Sequence, residues 1–234
     1  MGSSLPFFAQ PPHQPDVSLL LVATLAISPA TLASLIIAVS FAAGLNVYAT
    51  VCTLGIMARL HWVVLPGELG ALANSWIIAV SALLFAGEFF ADKIPGFDLI
   101  WNALHTFIRI PAAALLAYAA SSHLSPQQQL LVTIAGAAIA ALAHTSKTAA
   151  RVVVTPSPEP ISNIGLSAGE DAFAISLTWL ATHHPIAAGS TVAILSVLLI
   201  AALWHSFFRI RTALRRLFPP PAKPRDAQHS TLSS

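Results

Sequence analysis

The chain has 234 residues, of which 56% are hydrophobic and only 9% charged, whereas soluble domains carry about 25% charged residues. That composition excludes an ordinary soluble protein, and the formal net charge of +2 does not indicate a nucleic-acid binder, because the excess sits in one run from Arg209 to Arg225. The single cysteine, Cys52, excludes an intramolecular disulfide framework and a thiolate metal cluster within one chain.

A bilayer core about 30 Å thick takes roughly 20 apolar residues as a helix, and apolar runs of that length recur along the chain. Residues 1–16, with Pro6, Pro11, Pro12 and Pro15, form a lead without regular structure. No Lys or Arg precedes the first apolar stretch, so no cleavable signal is expected. VSLLLVATLAIS (17–28) has twelve residues before Pro29. It reads as a half-span, an interfacial helix or an extension of the first full span, and leaves the count at six or seven. That first full span, 31–60, is long enough to tilt or break. Gly44-Leu45-Asn46 is the expected break, and it places the Asn46 amide at membrane depth, where broken helices line binding cavities.

The second span, 71–90, runs into EFFADKIPGFD (88–98). Glu88 and Asp92 are four residues apart and share a helix face. Lys93 follows, Pro95-Gly96 ends the helix, and Asp98 opens the third span, 98–120, which carries His105 and Arg109. The fourth span, 129–150, ends in HTSKTAAR, where Lys147 and Arg151 repeat the four-residue spacing with opposite sign. These two helix ends are expected to pair, acid against base. TPSPEP then holds Glu159 at an extended tip. Ser162-Asn163 is expected to cap the fifth span, 165–181, which carries Glu170 and Asp171 roughly one turn in. Span six, 187–208, leads into the basic tail.

With the Arg-rich tail in the cytoplasm, six spans put loops 91–97 and 151–164 on the cytoplasmic side. Loops 61–70, 121–128 and 182–186 face outward, and none contains Lys or Arg. The expected architecture is an all-α polytopic transmembrane bundle with re-entrant or broken helices, in the inner membrane with both termini cytoplasmic. It divides into the lead, a membrane domain over 17–210, and a Pro-rich tail over 211–234. Most charges outside the tail then converge on one face. Glu88, Asp92, Asp98, Glu159, Glu170 and Asp171 stand against Lys93, Arg109, Lys147 and Arg151, leaving two negative charges for a cation, for protons, or for protonated acids in a structural cluster.

Gly44-x-Asn46-x-Tyr48-Ala49 parallels Gly169-x-Asp171-x-Phe173-Ala174, which reads either as a duplicated element or as coincidence in an Ala-rich chain. His183-His184 are adjacent and the other histidines isolated or beside basic residues, so they form no metal motif. No nucleophile-elbow, zinc-protease, nucleotide-loop or dinucleotide fingerprint occurs.

Taken together, GLNVYAT (44–50), EFFADKIPGFD (88–98), HTSKTAAR with PSPEPISN (144–163) and SAGED (167–171) resemble the bacterial membrane proteins catalogued as domain of unknown function 4126, over roughly residues 32–205. The resemblance implies a polytopic helical membrane protein and carries no catalytic assignment. From the residues, the expected function is a small-solute or ion transporter. Its cytoplasm-facing site would be built from Asn46, Glu88, Asp92, Lys93, Asp98, Lys147, Arg151, Glu159, Glu170 and Asp171. The alternatives are a membrane-embedded enzyme acting on a lipid headgroup and a non-catalytic scaffold. No cofactor is expected beyond a bound cation. The expected partners are the bilayer, anionic headgroups at the tail, and a second copy of the chain.

Overall fold

A computed structural model describes residues 27–92, 94, 97–154 and 160–217. Lys93, Glu159, the Pro95-Gly96 turn, the lead, all but the end of 17–28, and the tail from 218 onward lie outside the described residues. Asp98 falls in the first turn of a helix, and its side chain is not among those described.

All regular structure among the described residues is helical. Seven α-helices follow one another: α1 (Pro29–Leu45), α2 (Val47–Arg59), α3 (Ser75–Ala91), α4 (Phe97–Ala120), α5 (Pro126–Val154), α6 (Pro160–His183) and α7 (Pro185–Leu217), with a short 3-10 helix, Gly67–Ala73, before α3. Four of the seven begin on proline. The ring presets the helical φ, and the missing N–H falls where no intrahelical acceptor exists. Ser28 and Asn74 cap α1 and α3, their side-chain oxygens accepting from the N–H of Thr31 at 3.1 Å and of Trp76 at 2.8 Å.

The far end of α2 is closed by a Schellman motif. Trp62 N–H donates to the Met57 carbonyl at 3.0 Å and His61 N–H to Ala58 at 3.1 Å. The motif needs a left-handed residue after the cap. His61 supplies it at φ 57° without the glycine that usually takes that position.

α1 is the central helix. From Ser40 to Leu45 every residue is buried, and α4, α5, α6 and α7 all pack against it; a helix apolar all round belongs inside a bundle. Glycine permits the closest approaches. A Cβ on Gly44 would lie 2.5 Å from the Ala140 carbonyl of α5, and one on Gly136 would lie 2.6 Å from Ala117 Cβ of α4.

Three helices are long and apolar enough to cross a membrane, over Ala103–Ala120, Pro126–Arg151 and Pro185–Thr212; a fourth crossing arises if the 3-10 helix and α3, bent by 75°, are taken together. α1 and α2 are shorter apolar helices of 17 and 13 residues. The chain is thus an all-helical membrane protein.

The expected boundaries shift in three places. The span expected over 71–90 is split by a bend at Asn74, because that residue caps α3. α6 starts at Pro160, so Ser162-Asn163 lie inside its first turn and do not cap it. Glu170 and Asp171 are consequently about three turns into the helix. α7 runs on to Leu217, past the point where the tail was expected to begin.

Candidate functional site

The break between α1 and α2 is a single residue. Asn46 is extended, at φ −149° and ψ 101°, and five bonds satisfy it, one of them from the Thr50 hydroxyl to its carbonyl at 2.9 Å. Its N–H still donates to Ala42 at 2.9 Å, and its carbonyl accepts from Thr50 N–H at 3.1 Å. Its side-chain oxygen caps α2 by accepting from Ala49 N–H at 2.9 Å, and its amide nitrogen donates to Asp171 Oδ1 at 2.8 Å. The break frees carbonyls at the end of α1. One of them, Leu45, accepts from Lys147 Nζ at 3.1 Å, which sets a cation against the negative end of the α1 dipole.

Lys147 is also the hub of the charges. Its ammonium lies 3.1 Å from Asp92 Oδ2, 3.4 Å from Glu170 Oε2 and 3.6 Å from Glu88 Oε1. One turn on, Arg151 Nη2 donates to Asp92 Oδ2 at 3.0 Å and to Glu170 Oε2 at 2.7 Å, while Nη1 donates to the Asp92 backbone carbonyl at 3.1 Å. Arg109, from α4, pairs with Glu88. The side chains of Glu88, Asp92, Arg109, Lys147 and Arg151 are wholly buried and that of Glu170 is 10% exposed. The pairing expected between the ends of α3 and α5 is therefore present, with α4 and α6 drawn into it.

Hydrogen bonds also fix the two histidines near Arg109. Its Nη1 contacts His144 Nδ1 at 3.1 Å, and since arginine only donates, Nδ1 is the acceptor. The imidazole proton is then on Nε2, which donates to Thr106 Oγ1 at 2.7 Å. His105 is fixed the other way: Nδ1 donates to the Trp101 carbonyl at 2.8 Å, so Nε2 accepts from the Tyr48 hydroxyl at 3.3 Å.

Asp171 is set apart. Only 4% of it is exposed, yet its sole described partner is the Asn46 amide. No salt bridge to it is formed by the described residues, and Oδ2 has no hydrogen-bond partner among them. Glu88 Oε2 and Ser167 Oγ are in the same position, and Ser167 lies one helical turn before Asp171, on its face. Among the described residues, four carboxylates (Glu88, Asp92, Glu170, Asp171) face three cations (Arg109, Lys147, Arg151), one negative charge in excess. No group of three His, Cys, Asp or Glu suited to a metal ion occurs among the described residues.

Of the ten sequence candidates, Glu88, Asp92, Lys147, Arg151 and Glu170 meet in one cluster, with Asn46 and Asp171 paired beside it. Lys93 and Glu159 lie outside the described residues, as does the side chain of Asp98. Arg109 entered the charge count but not the list of candidates. His144, Thr106, His105 and Tyr48 were not foreseen, although His105 lies four residues before Arg109 and His144 three before Lys147, spacings that share a helix face.

No curated protein and no solved structure matches the chain. The sequence model described as Domain of unknown function (DUF4126) matches residues 33–205, a stretch that runs from α1 into α7 and holds every charge of the cluster, and the chain belongs to that family.

Proposed function

We propose that the protein transports a small solute or ion, with the Asn46–Asp171 pair as its binding point and the Lys147–Arg151 cluster as the closure at its cytoplasmic end. The observation that carries this reading is the Asp171 carboxylate, buried beside a helix break with one oxygen unpartnered among the described residues. A carboxylate at membrane depth costs several kcal/mol unless it is paired or faces water, and such groups mark ion pathways. Interrupted helices that line a polar site at mid-membrane are a recurrent device of carriers.

The topology that goes with this reading has six crossings in the inner membrane. α1 with α2 forms the first, the 3-10 helix with α3 the second, and α4 to α7 the rest, with both termini in the cytoplasm. The register of α2 and α6 supports it. Asn46 meets Asp171, and Met57 meets Thr182 through a 4.0 Å contact to sulfur, each pair 125 residues apart. The two helices therefore run parallel, as first and fifth crossings do. Arg209 and Arg211, exposed near the end of α7, suit anionic headgroups on the cytoplasmic leaflet.

The test is flux of tracer cations and of protons into liposomes holding the purified chain. Wild-type flux above that of a Glu170→Gln, Asp171→Asn double variant is the expected result; equal flux refutes transport through this site. A second reading, a scaffold whose charges only fasten helices, is favoured by one observation: Glu88, Asp92, Arg109 and Arg151 are buried and answer one another. It predicts that reversing Asp92 and Lys147 together restores stability with no flux at stake.

A further inference from the structure

We propose that the ion carried is a proton, held on Asp171 and exchanged with the far side of the membrane through a groove between α2 and α6. This rests on the transport reading and adds the ion and its route.

The ligand chemistry around Asp171 is too poor for a metal ion. Hard cations take six or more oxygens. Here Asn46 has spent both its oxygens on α2, its Oδ1 on Ala49 N–H and its carbonyl on Thr50. What remains is one free carboxylate oxygen and the Ser167 hydroxyl one turn away, each without a partner among the described residues. A proton needs only one lone pair of that carboxylate oxygen. The place of a resident metal cation in the cluster is taken by Lys147, whose ammonium touches three carboxylates and the carbonyl at the end of α1. The charged groups whose fields reach Asp171 are Lys147 of α5 and Glu88 and Asp92 of α3. Glu170 precedes it on α6. α1 carries no titratable residue, α7 carries none before His205, and of those on α2, Tyr48 is turned to His105, Cys52 is a half-buried free thiol, and Arg59 lies at the far end near Ala73.

The route follows from the register. Because α2 and α6 run parallel with a fixed offset, Thr50 and Thr178 lie on the seam beyond the Asn46–Asp171 pair. Both are fully buried, and both hydroxyls donate to their own helix, Thr50 to Asn46 O at 2.9 Å and Thr178 to Ala174 O at 2.7 Å, leaving oxygen lone pairs on the seam. Further along the same two helices an open, largely apolar groove of about 390 Å³ lies at the surface, lined by Thr53, Ile56 and Met57 of α2, by Trp62 just after it, and by Ile175, Ser176 and Trp179 of α6, with Ile56, Trp62, Ile175 and Trp179 exposed. Its lining begins four residues beyond Asp171 on α6 and seven beyond Asn46 on α2, an axial distance of about 6–10 Å. Along that stretch the polar groups on the seam are the buried hydroxyls of Thr50 and Thr178. The repeat noted in the sequence has the same 125-residue offset, Gly44/Gly169, Asn46/Asp171, Tyr48/Phe173 and Ala49/Ala174, and continues to Thr53/Thr178. The site therefore lies between positions that match at this offset on two parallel helices.

The experiment uses the full chain in liposomes with an entrapped pH dye and a potassium diffusion potential, and radioactive sodium and rubidium as parallel probes. The expected result is potential-driven proton flux that falls by about a hundredfold in Asp171→Asn, the size of effect typical of losing a proton-transfer group. Sodium or rubidium flux that depends on Asp171, without proton movement, overturns the proton and leaves transport standing. No flux of any probe above empty liposomes overturns both. Two measurements guard against a misfolded variant. The wild type should show the infrared carbonyl band of a protonated carboxyl group that Asp171→Asn removes; a band unchanged by that substitution overturns the binding site. In a Cys52→Ser, Ser176→Cys chain, an impermeant thiol reagent present on both faces should block proton flux; modification without block overturns the route.

Discussion

Replacing Lys147 with methionine tests whether the cluster is held by one tethered cation. The ammonium stands 3.1–3.6 Å from oxygens of Asp92, Glu170 and Glu88. At an effective dielectric of about 20, each such pair is worth roughly 5 kcal/mol of gross attraction. Most of that is offset by the cost of taking four charges out of water, so the gross sum does not measure stability. What the variant exposes is the imbalance left behind: Glu88, Asp92, Glu170 and Asp171 against Arg109 and Arg151 only, with the Leu45 carbonyl stripped of its donor. Breaking a buried pair by removing one member costs about 3–5 kcal/mol. The assay is reversible unfolding of the full chain in micelles with rising dodecyl sulfate, with Asp92→Asn and the double variant completing a cycle. The double variant should lose less than the two singles added, by about 1–3 kcal/mol. A Lys147→Met loss below about 1 kcal/mol, or a coupling of zero, would mean that these charges are solvated in the membrane and that the buried hub is wrong. Lys147→Arg should recover only part of the loss, because a planar fork cannot aim at a helix carbonyl and three carboxylates at once.

The same unfolding assay separates several smaller effects. His61→Gly should stabilise the protein by about 1 kcal/mol, since a non-glycine residue at φ 57° carries backbone strain that glycine does not; a loss of stability would show that the imidazole itself matters. Gly44→Ala should cost about 1–3 kcal/mol, its new Cβ meeting backbone at 2.5 Å and 2.8 Å. Gly169→Ala, at the matching position of the repeat, has nothing within 4 Å and should stabilise α6 by about 0.5–1 kcal/mol. Equal effects at the two glycines would refute the packing of α1 on α5.

Local chemistry was readable in the sequence and cross-helix chemistry was not. The spans expected from 129, 165 and 187 begin earlier, on Pro126, Pro160 and Pro185, but the break at Asn46 depends on a few neighbouring residues. So does the match of Glu88/Asp92 with Lys147/Arg151, which needs only helical periodicity and opposite sign. Arg109 was legible as a charge and not as a partner, because Glu88 belongs to another helix and the distance between them is set by how α3 and α4 pack. Glu170 and Asp171 looked like one acidic unit. On a helix, neighbours point about 100° apart, so Glu170 turns to Arg151 and Lys147 while Asp171 turns to Asn46. At the start of α6, Pro160 outweighed the capping signal of Ser162-Asn163, because a proline at the first helical position is already preorganised.

The repeat adds one more prediction, and its asymmetry sets the expected size. Positions 46 and 171 match at the 125-residue offset, yet α1 and α2 break at Asn46 while α6 runs unbroken through Asp171. A carboxylate moved to 46 would cap α2, accepting from Ala49 N–H as the amide oxygen does now. It would also sit at the positive end of the α2 dipole, worth about 0.3–1 kcal/mol to the charged form. Asp171, in mid-helix, has neither support, and its charge is free to be neutralised and restored. The exchange Asn46→Asp with Asp171→Asn should therefore fold, because the side-chain contact at 2.8 Å between α2 and α6 survives with donor and acceptor interchanged. Proton flux in liposomes should return above that of Asp171→Asn alone but stay below wild type, since the exchanged carboxylate gives up its charge less readily. A swapped chain that folds and carries no protons would show that position 171 is needed for more than its carboxylate, and the two segments would then be alike in sequence and position but not in chemistry.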